Sequence, residues 1–233
     1  MAESRHPSPA ICRDFERVSP EIVRQAAAFA SSILADVAGR RGTLDGRIVP
    51  LARSTRLAGP AVTVEVRPGD NLMIHAAINL ARPGDVLVID GKADRTCALM
   101  GAIMMTACKT LGLGGVVLDA SHRDTEELLA LGFPVYSIGA NPNGPTKSVP
   151  GRINWPISCG GVAVHPGDLI VGDADGVVVI ERAEAAALLP LAASKVDAER
   201  ARIADIVSGR DLRPAWLDAA LRSAGVLREG ESL

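Results

Sequence analysis

The sequence predicts an α/β protein with a mixed, partly parallel sheet. Short runs of β-branched residues alternate with helical stretches of about ten to fifteen residues from position 61 to position 138, which is typical of βαβ units. The tripeptide Pro-Gly-Asp occurs at 68–70, 83–85 and 166–168, and each copy combines a turn with a residue that can start the next element. After Gly139 short β segments replace this alternation, and the C-terminal third is helical.

The N-terminal half supplies the predicted βαβ units. Polar residues 1–18 look like a loose arm. Ser19-Pro20-Glu21 offers an N-cap, a helix-starting proline and an acidic first turn, so we predict a helix from there to about Ala38. Residues 43–59 look like a loop. The elements predicted next are the strand 61–66, the helix 71–81, the strand 86–90, the helix 98–111, the strand 115–119, the helix 124–131 and the strand 134–138.

The C-terminal half is predicted to be more irregular. Residues 140–152 contain several Pro and Gly and suggest a long ordered loop. Short β segments follow at 162–164, 169–171 and 177–180, and helices at 182–208, with a break at Pro190, and at 214–224. No linker marks a second globular domain. We therefore predict an N-terminal arm over 1–18, a single α/β domain over 19–210, and a C-terminal helix and tail over 211–233.

Composition excludes several classes of protein. Apolar residues make up 48% of the 233-residue chain and charged residues 22%, which suits a globular protein. A net charge of −2 and an aromatic content of 3% provide neither the basic field nor the stacking surfaces of a nucleic-acid site. The four cysteines form no C-x-x-C pair, so we expect reduced thiols in a cytoplasmic protein. No segment has the pattern of a signal peptide or a membrane span.

The dipeptide Arg123-Asp124 is the strongest indication of a functional site. It follows the apolar run 115–119 and the small turn 120–122, and it opens a helical stretch. This position corresponds to the carboxyl end of a strand, where open α/β sheets usually bind ligands. A guanidinium can hold an anion with two hydrogen bonds, and a carboxylate can hold a hard cation. The simpler interpretation is that Asp124 only caps its own helix and Arg123 is solvated.

A second candidate lies at the start of the helix predicted over 98–111. Gly101 and Ala102 are small, so a ligand could approach the backbone, and free N–H groups in a first helical turn bind carboxylates or phosphates. The alternative is that Gly101 only makes room for helix–sheet packing. His75 is expected in the core or at a cap, His122 in a solvated loop, and His165 at the surface. The histidine spacing predicts no zinc site.

These two candidates would form one site for a small oxyanion and a hard metal. Only one protein carboxylate is evident there, so a metal would keep several waters, which suits Mg²⁺ much better than Zn²⁺. The chain contains no G-x-S-x-G motif and no Walker motif, and Gly112-Leu113-Gly114-Gly115 leads into a strand instead of a helix.

The order of these motifs resembles a known family. The series contains the segments 70–75, 83–88, 112–120, 132–135, 166–168 and 173–180, together with Gly101 and Arg123-Asp124. It is similar to the class II 4-hydroxy-4-methyl-2-oxoglutarate / 4-carboxy-4-hydroxy-2-oxoadipate aldolases and to their relatives, the ribonuclease E activity regulator A-like proteins. The resemblance covers roughly residues 20 to 210. The ending 214–225 looks like the aldolase branch.

The resemblance implies a β/β/α swivelling-type fold and a homotrimer or a dimer of trimers, with active sites between subunits. It implies that Asp124 holds Mg²⁺ or Mn²⁺ mostly through water, and that Glu199 of a neighbouring subunit orients metal-bound water. It further implies that Arg123 contacts a 2-oxo acid, the small-molecule substrate. Backbone amides at Ala102, Ile103 and Met104, next to Gly101, would hold its carboxylate, and Asn71 would lie beside it. Neither nucleic acid nor membrane is an expected partner.

Those implications point to retro-aldol cleavage of a 4-hydroxy-2-oxo dicarboxylic or tricarboxylic acid to pyruvate through a stabilised enolate, with oxaloacetate decarboxylation as a side activity. One residue departs from the aldolase pattern: Ala102 stands where an acid usually follows the helix glycine. Asp94 or His122 could replace that acid. The alternatives are a non-catalytic regulator of ribonuclease activity and another 2-oxo or hydroxy acid enzyme on the same scaffold.

Overall fold

The computed structural model describes residues 10–210 and 212–233. It contains seven helices and ten strands within those residues, and most lie where the sequence predicts an element. The helices are α1 Pro20–Ala26, α2 Ser31–Val37, α3 Leu72–Ile78, α4 Ala102–Thr110, α5 Thr125–Leu131, α6 Arg182–Val207 and α7 Leu217–Ser223. The strands are β1 Val49–Pro50, β2 Leu57–Glu65, β3 Val86–Met100, β4 Gly115–His122, β5 Val135–Ser137, β6 Arg152–Ile153, β7 Ile157–Cys159, β8 Val162–Val164, β9 Leu169–Asp173 and β10 Gly176–Ile180.

The main sheet is mixed, as predicted. Its strands follow the order β1-β5-β4-β3-β2-β9-β10, and β6 pairs with β2. The central pairs β2–β3, β3–β4 and β4–β5 are parallel, whereas β1, β6, β9 and β10 pair antiparallel. Strands β7 and β8 form a separate two-stranded sheet. The parallel centre places the carboxyl ends of β3 and β4 side by side.

Two clusters of buried apolar residues cover the two faces of this sheet. Because neighbouring strand residues point to opposite faces, Leu87 and Leu118 lie in one cluster while Val88 and Val117 lie in the other. The first cluster includes side chains of α3, α4 and α5, and the second includes side chains of β7 to β10. Helices on one face and further β structure on the other give the predicted β/β/α layering.

Tertiary contacts shift several predicted boundaries. The helix predicted over 19–38 is two helices, because the buried Asp173 carboxylate accepts hydrogen bonds from Ser31 N and Ser31 Oγ and starts α2 there. The helix predicted from position 98 begins at Ala102, because 98–100 extend β3 alongside β4. Strands β1, β6 and β7 were not predicted. Helix α6 does not break at Pro190, which lies inside it next to buried Leu189.

Residues 10–18 of the predicted loose arm make hydrogen bonds to the α/β domain. Cys12 N donates to Ile153 O, and Val18 N donates to Gly167 O. Arg17 forms two hydrogen bonds with the buried Asp85 carboxylate, at 2.8 and 2.9 Å. Residues 1–9 of the predicted arm lie outside the described residues.

Contacts divide the chain into a unit that ends at Ala192 and a second unit, Ala193–Leu233. The first unit contains both core clusters and the whole sheet. The second is helical, as predicted for the C-terminal tail, and it contains α7 and the exposed side chains Ile203, Val207 and Trp216. The domain boundaries given above stay predictions. None of the described helices is both long and apolar enough to cross a membrane.

Candidate functional site

The candidate site lies where β3 and β4 end. Met100 and His122 are paired as the last residues of the two strands, and Gly101 and Arg123 follow them. Arg123 N donates to Met100 O at 3.0 Å, which joins the two connections. The start of α4 and the dipeptide Arg123-Asp124 therefore meet at the carboxyl edge of the parallel strands, as the sequence predicts.

Asp124 caps α4 and not the helix that it begins. Its side chain makes no capping bond to α5, and its Oδ2 accepts a hydrogen bond of 2.9 Å from Ala102 N. Its backbone is left-handed, with φ 61° and ψ 45°, which few residues other than glycine adopt without cost. The simple interpretation of Asp124 as the cap of its own helix is thus wrong. The hydrogen bond from Ala102 N holds the carboxylate at the start of α4.

Gly101 is required by this arrangement. A Cβ there would clash with Asp124 Oδ2 and would lie 2.9 Å from Arg123 Cγ. The alternative explanation, that Gly101 makes room for packing between helix and sheet, is therefore incorrect, because the side chains it admits are those of the candidate site. Its φ of −144° is open to any residue, so space alone selects glycine here.

The first turn of α4 presents two free donors. Ala102 N is already bound to Asp124, whereas no backbone hydrogen bond joins Ile103 N or Met104 N to the described residues. The first intrahelical bond runs from Met105 N to Gly101 O. Because α4 has nine residues, its exposed N–H groups and its dipole favour an anion at this end. Of the three backbone amides predicted to hold a carboxylate, only those of Ile103 and Met104 are available to a ligand.

Arg123 faces this helix start, and its guanidinium is ion-paired with Asp124 without a hydrogen bond between them. Its Nε lies 3.8 Å from Asp124 Oδ2, and 42% of its side chain is exposed. The distance is too long for a hydrogen bond, so the planar fork can still bind an oxyanion with two donors. Gly144 allows the loop that follows β5 to pass close by, since a Cβ at 144 would lie 3.0 Å from Arg123 Nη1.

A cleft of about 140 Å³ contains these groups. The predicted residues Asn71, Gly101, Ile103, Met104, Arg123 and Asp124 line it, and Ala102 contributes its N–H to Asp124. Glu199 belongs to the second unit, where it pairs with Lys195 at 3.0 Å.

A larger cleft of about 320 Å³ beside α2 contains Asp36, Arg40 and Asp175. It has none of the unpartnered buried polar atoms found among the described residues, and we assign it no chemistry.

Asn71 is buried in the wall of the cleft with half of its amide unpartnered. Its Nδ2 donates to Leu99 O at 2.8 Å and to Met104 Sδ at 3.4 Å. These two acceptors fix the orientation of the amide, because exchanging Nδ2 and Oδ1 would place Oδ1 against the carbonyl oxygen of Leu99. Asn71 Oδ1 is buried and accepts no hydrogen bond from the described residues. A ligand donor could satisfy it.

Lys147 and His75 also line the cleft, and sequence reasoning did not assign either to the site. Lys147 comes from the Pro- and Gly-containing loop, which gives no signal of function in the sequence. The buried Asp70 carboxylate holds this loop, because it accepts hydrogen bonds from Thr146 Oγ1, Ser148 N and Val149 N. Burial alone would raise the pKa of Asp70, but these bonds outweigh it and keep the pKa far below its usual range.

The two side chains offered as substitutes for an acid at position 102 do not line the cleft. His122 is buried at the end of β4, where its Nδ1 lies 2.7 Å from Ser137 Oγ and its Nε2 lies 3.1 Å from Thr125 Oγ1. Burial lowers its pKa, so the expectation of a solvated loop histidine was wrong. Asp94 Oδ1 accepts from Thr96, in the bulged part of β3. His165 is exposed, as expected.

Comparison with known proteins finds relatives that are named either as aldolases or as RraA proteins. The chain matches the RraA-like family, described as Aldolase/RraA, over residues 21–179. A Halalkalibacterium halodurans protein provisionally named 4-hydroxy-4-methyl-2-oxoglutarate aldolase is 41% identical, over 78% of this chain and 87% of its own. A Burkholderia mallei protein with the same name is 33% identical, over 63% and 88%. The structure of Streptomyces coelicolor RraAS2, an unusual member of the RNase ES inhibitor RraA protein family, matches with TM-score 0.75 and 27% identity, over 80% of this chain and 98% of that one.

Proposed function

This chain belongs to the RraA-like (Aldolase/RraA) family, and we propose that it is a divalent-metal-dependent aldolase that cleaves a 4-hydroxy-2-oxo dicarboxylic or tricarboxylic acid to pyruvate. Decarboxylation of oxaloacetate is the side activity we expect. The observation that carries the proposal is the juxtaposition of the Arg123 guanidinium, the Asp124 carboxylate and the open first turn of α4. The relatives named as aldolases support the same class of reaction.

The proposed substrate binds by its 2-oxo acid end. Its carboxylate accepts hydrogen bonds from Ile103 N and Met104 N, and its C2 oxygen lies beside the Arg123 guanidinium. The C4 hydroxyl oxygen gives its proton to water and becomes the carbonyl oxygen of the second product, while the bond between C3 and C4 breaks. The electron pair of that bond forms the pyruvate enolate. Arg123 stabilises the negative charge that develops on the C2 oxygen. The enolate then takes a proton at C3 and leaves as pyruvate.

Asp124 is the group that fits a metal here. Its Oδ2 is used by Ala102 N, which leaves Oδ1 available, and no cluster of three metal-binding side chains occurs among the described residues. A single carboxylate suits Mg²⁺ or Mn²⁺, since these ions bind oxygen and Mg²⁺ keeps several waters. Bound there, the ion would supply positive charge to the oxygen of the enolate.

The residue at position 102 should control metal affinity. A carboxylate in the first turn of α4 is favoured by the helix dipole and would lie close to Asp124, where it can orient metal-bound water. We expect Ala102→Asp to tighten Mg²⁺ binding and to raise the rate of oxaloacetate decarboxylation, each by roughly tenfold. Mg²⁺ titration of both proteins measures the effect, and Ala102→Asn is the uncharged control. Unchanged affinity and rate in Ala102→Asp would mean that position 102 does not face the metal.

Lys147 should select substrates with a second carboxylate. Its side chain is exposed and lines the cleft, and the structure gives it no ion pair within the described residues. A hydrogen bond to a charged group contributes about 1.5–3 kcal/mol, which corresponds to ~10–100-fold in KM. We expect Lys147→Gln to raise KM by that factor for 4-hydroxy-4-methyl-2-oxoglutarate and by much less for 4-hydroxy-2-oxopentanoate. An equal rise for both substrates would contradict this role.

The active protein should be a closed cyclic oligomer, a trimer or a dimer of trimers. The resemblance assigns Glu199 to a neighbour's site, and such a contribution requires symmetric association. We expect light scattering at micromolar concentration to give a trimer or hexamer, and Glu199→Gln to lower pyruvate release without changing that mass. The exposed neighbouring carboxylate in Asp197→Asn is the matched control. A monomer with full activity would be incompatible with a shared site.

The direct test of the function is pyruvate release, followed with coupled lactate dehydrogenase, across a panel of 4-hydroxy-2-oxo acids with and without Mg²⁺. We expect Mg²⁺-dependent release from at least one dicarboxylic member.

The second candidate function is regulation of ribonuclease activity, which the likeness to RraAS2 favours. Retention of ribonuclease E in a pull-down, with no pyruvate from any substrate, would support the regulator instead.

A further inference from the structure

The wall of the cleft formed by α3 contains two polar atoms that lack partners. Asn71 Oδ1 and His75 Nε2 are both buried and make no hydrogen bond to the described residues. Both residues line the cleft. They lie four positions apart at the start of α3, and His75 N donates to Asn71 O at 3.2 Å, so their side chains share one face of the helix. An unpaired buried polar group is destabilising, so a ligand that pairs with it gains affinity.

The two atoms differ in what they can bind. The bonds from Asn71 Nδ2 to Leu99 O and Met104 Sδ leave Oδ1 as an acceptor only. A histidine nitrogen can donate or accept, depending on the tautomer. A carboxylate or a ketone cannot donate to Asn71 Oδ1. A hydroxyl can satisfy both atoms, because its hydrogen goes to Oδ1 while its oxygen accepts from Nε2–H.

We infer that Asn71 and His75 form a recognition site for a ligand hydroxyl, and that His75 is a specificity-determining residue. The inference rests on the proposed function, since the hydroxyl in question is the one at C4 of a 4-hydroxy-2-oxo acid. The α4 amides and Arg123 are assigned to the 2-oxo acid end, which leaves Asn71 and His75 available for the hydroxyl. Polar contacts of this kind are often incomplete without ligand and tighten in the bound complex. The pair therefore distinguishes a hydroxy acid from an oxo acid that lacks the hydroxyl.

The test compares two substrates that yield pyruvate in the same assay. 4-Hydroxy-4-methyl-2-oxoglutarate has the hydroxyl, and oxaloacetate lacks it. We expect His75→Phe, which keeps the ring and removes its nitrogens, to lower the ratio of kcat/KM for the hydroxy acid to kcat/KM for oxaloacetate by about 10–100-fold. His75→Gln, which retains a donor near Nε2, should restore part of that ratio. Asn79→Ala, a change at the residue that follows α3, removes a bond to His75 O and should leave the ratio unchanged.

Other results would overturn the inference. If His75→Phe lowers both activities equally, then His75 supports the fold or the common 2-oxo acid end. If it changes neither, His75 does not face the substrate. If the wild-type chain releases no pyruvate at all, the proposed function fails. Calorimetry without added metal still decides the hydroxyl site, because 4-hydroxy-2-oxoglutarate should then bind about tenfold more tightly than 2-oxoglutarate, and His75→Phe should abolish that difference. Equal binding of the two acids to the wild-type chain would rule the site out.

Discussion

Arg123→Lys will lower kcat/KM for pyruvate release by about 10²–10³-fold, the usual cost of losing an oriented donor at a developing oxyanion. Lysine keeps the positive charge but offers a point charge on a flexible stem in place of a planar fork. The fork matters here because Arg123 Nε lies 3.8 Å from Asp124 Oδ2, and the loop at Gly144 comes so close to Nη1 that a Cβ there would lie 3.0 Å from it.

Thermal unfolding should hardly change in Arg123→Lys, since the side chain is partly exposed and is not part of either core cluster. Arg95→Lys, at an exposed arginine outside the cleft, is the matched control and should keep full activity. The measurement is steady-state kinetics on the best substrate of the panel, together with the melting temperature. Wild-type kinetics in Arg123→Lys would show that the guanidinium does not contact the reacting oxygen.

Asp124→Asn and Asp124→Ala will both abolish pyruvate release and its Mg²⁺ dependence, but they will differ in stability. Asparagine tolerates the left-handed backbone and can still accept from Ala102 N, whereas alanine loses the cap and is strained at φ 61°. We expect Asp124→Asn to unfold near the wild-type temperature and Asp124→Ala to lose about 1–2 kcal/mol.

This pair of variants separates charge from geometry at one position. Chemical denaturation gives the free energy of unfolding, and the coupled assay gives the activity at several Mg²⁺ concentrations. Activity that persists in Asp124→Asn would show that the negative charge is dispensable, and the assignment of a metal to Asp124 would then be incorrect. Equal stability of the two variants would show that the cap across the site contributes little.

Several features of this protein were determined by the sequence alone. The runs of β-branched residues predict the central strands, because such side chains pack well on a half-buried pleated surface. The position of Arg123-Asp124 after an apolar run predicts a site at the carboxyl edge of the sheet, because parallel strands bring their carboxyl ends together. Gly101 was assigned to the same site by similar reasoning. These predictions depend on patterns of neighbouring residues, and such patterns indicate the same strands whatever the tertiary arrangement that buries them.

Only the tertiary structure decided how the site is completed. The Asp173 carboxylate, 142 positions further along the chain, starts α2 at Ser31 inside the single helix predicted over 19–38. Asp124 caps α4 instead of α5, which depends on Gly101 admitting its carboxylate. Lys147 enters the cleft because Asp70 holds its loop, and the unpaired atoms of Asn71 and His75 face the same space. Each of these contacts joins residues that are distant in sequence or lie on different elements, and the free energy of burying and pairing polar groups, not local propensity, selects them.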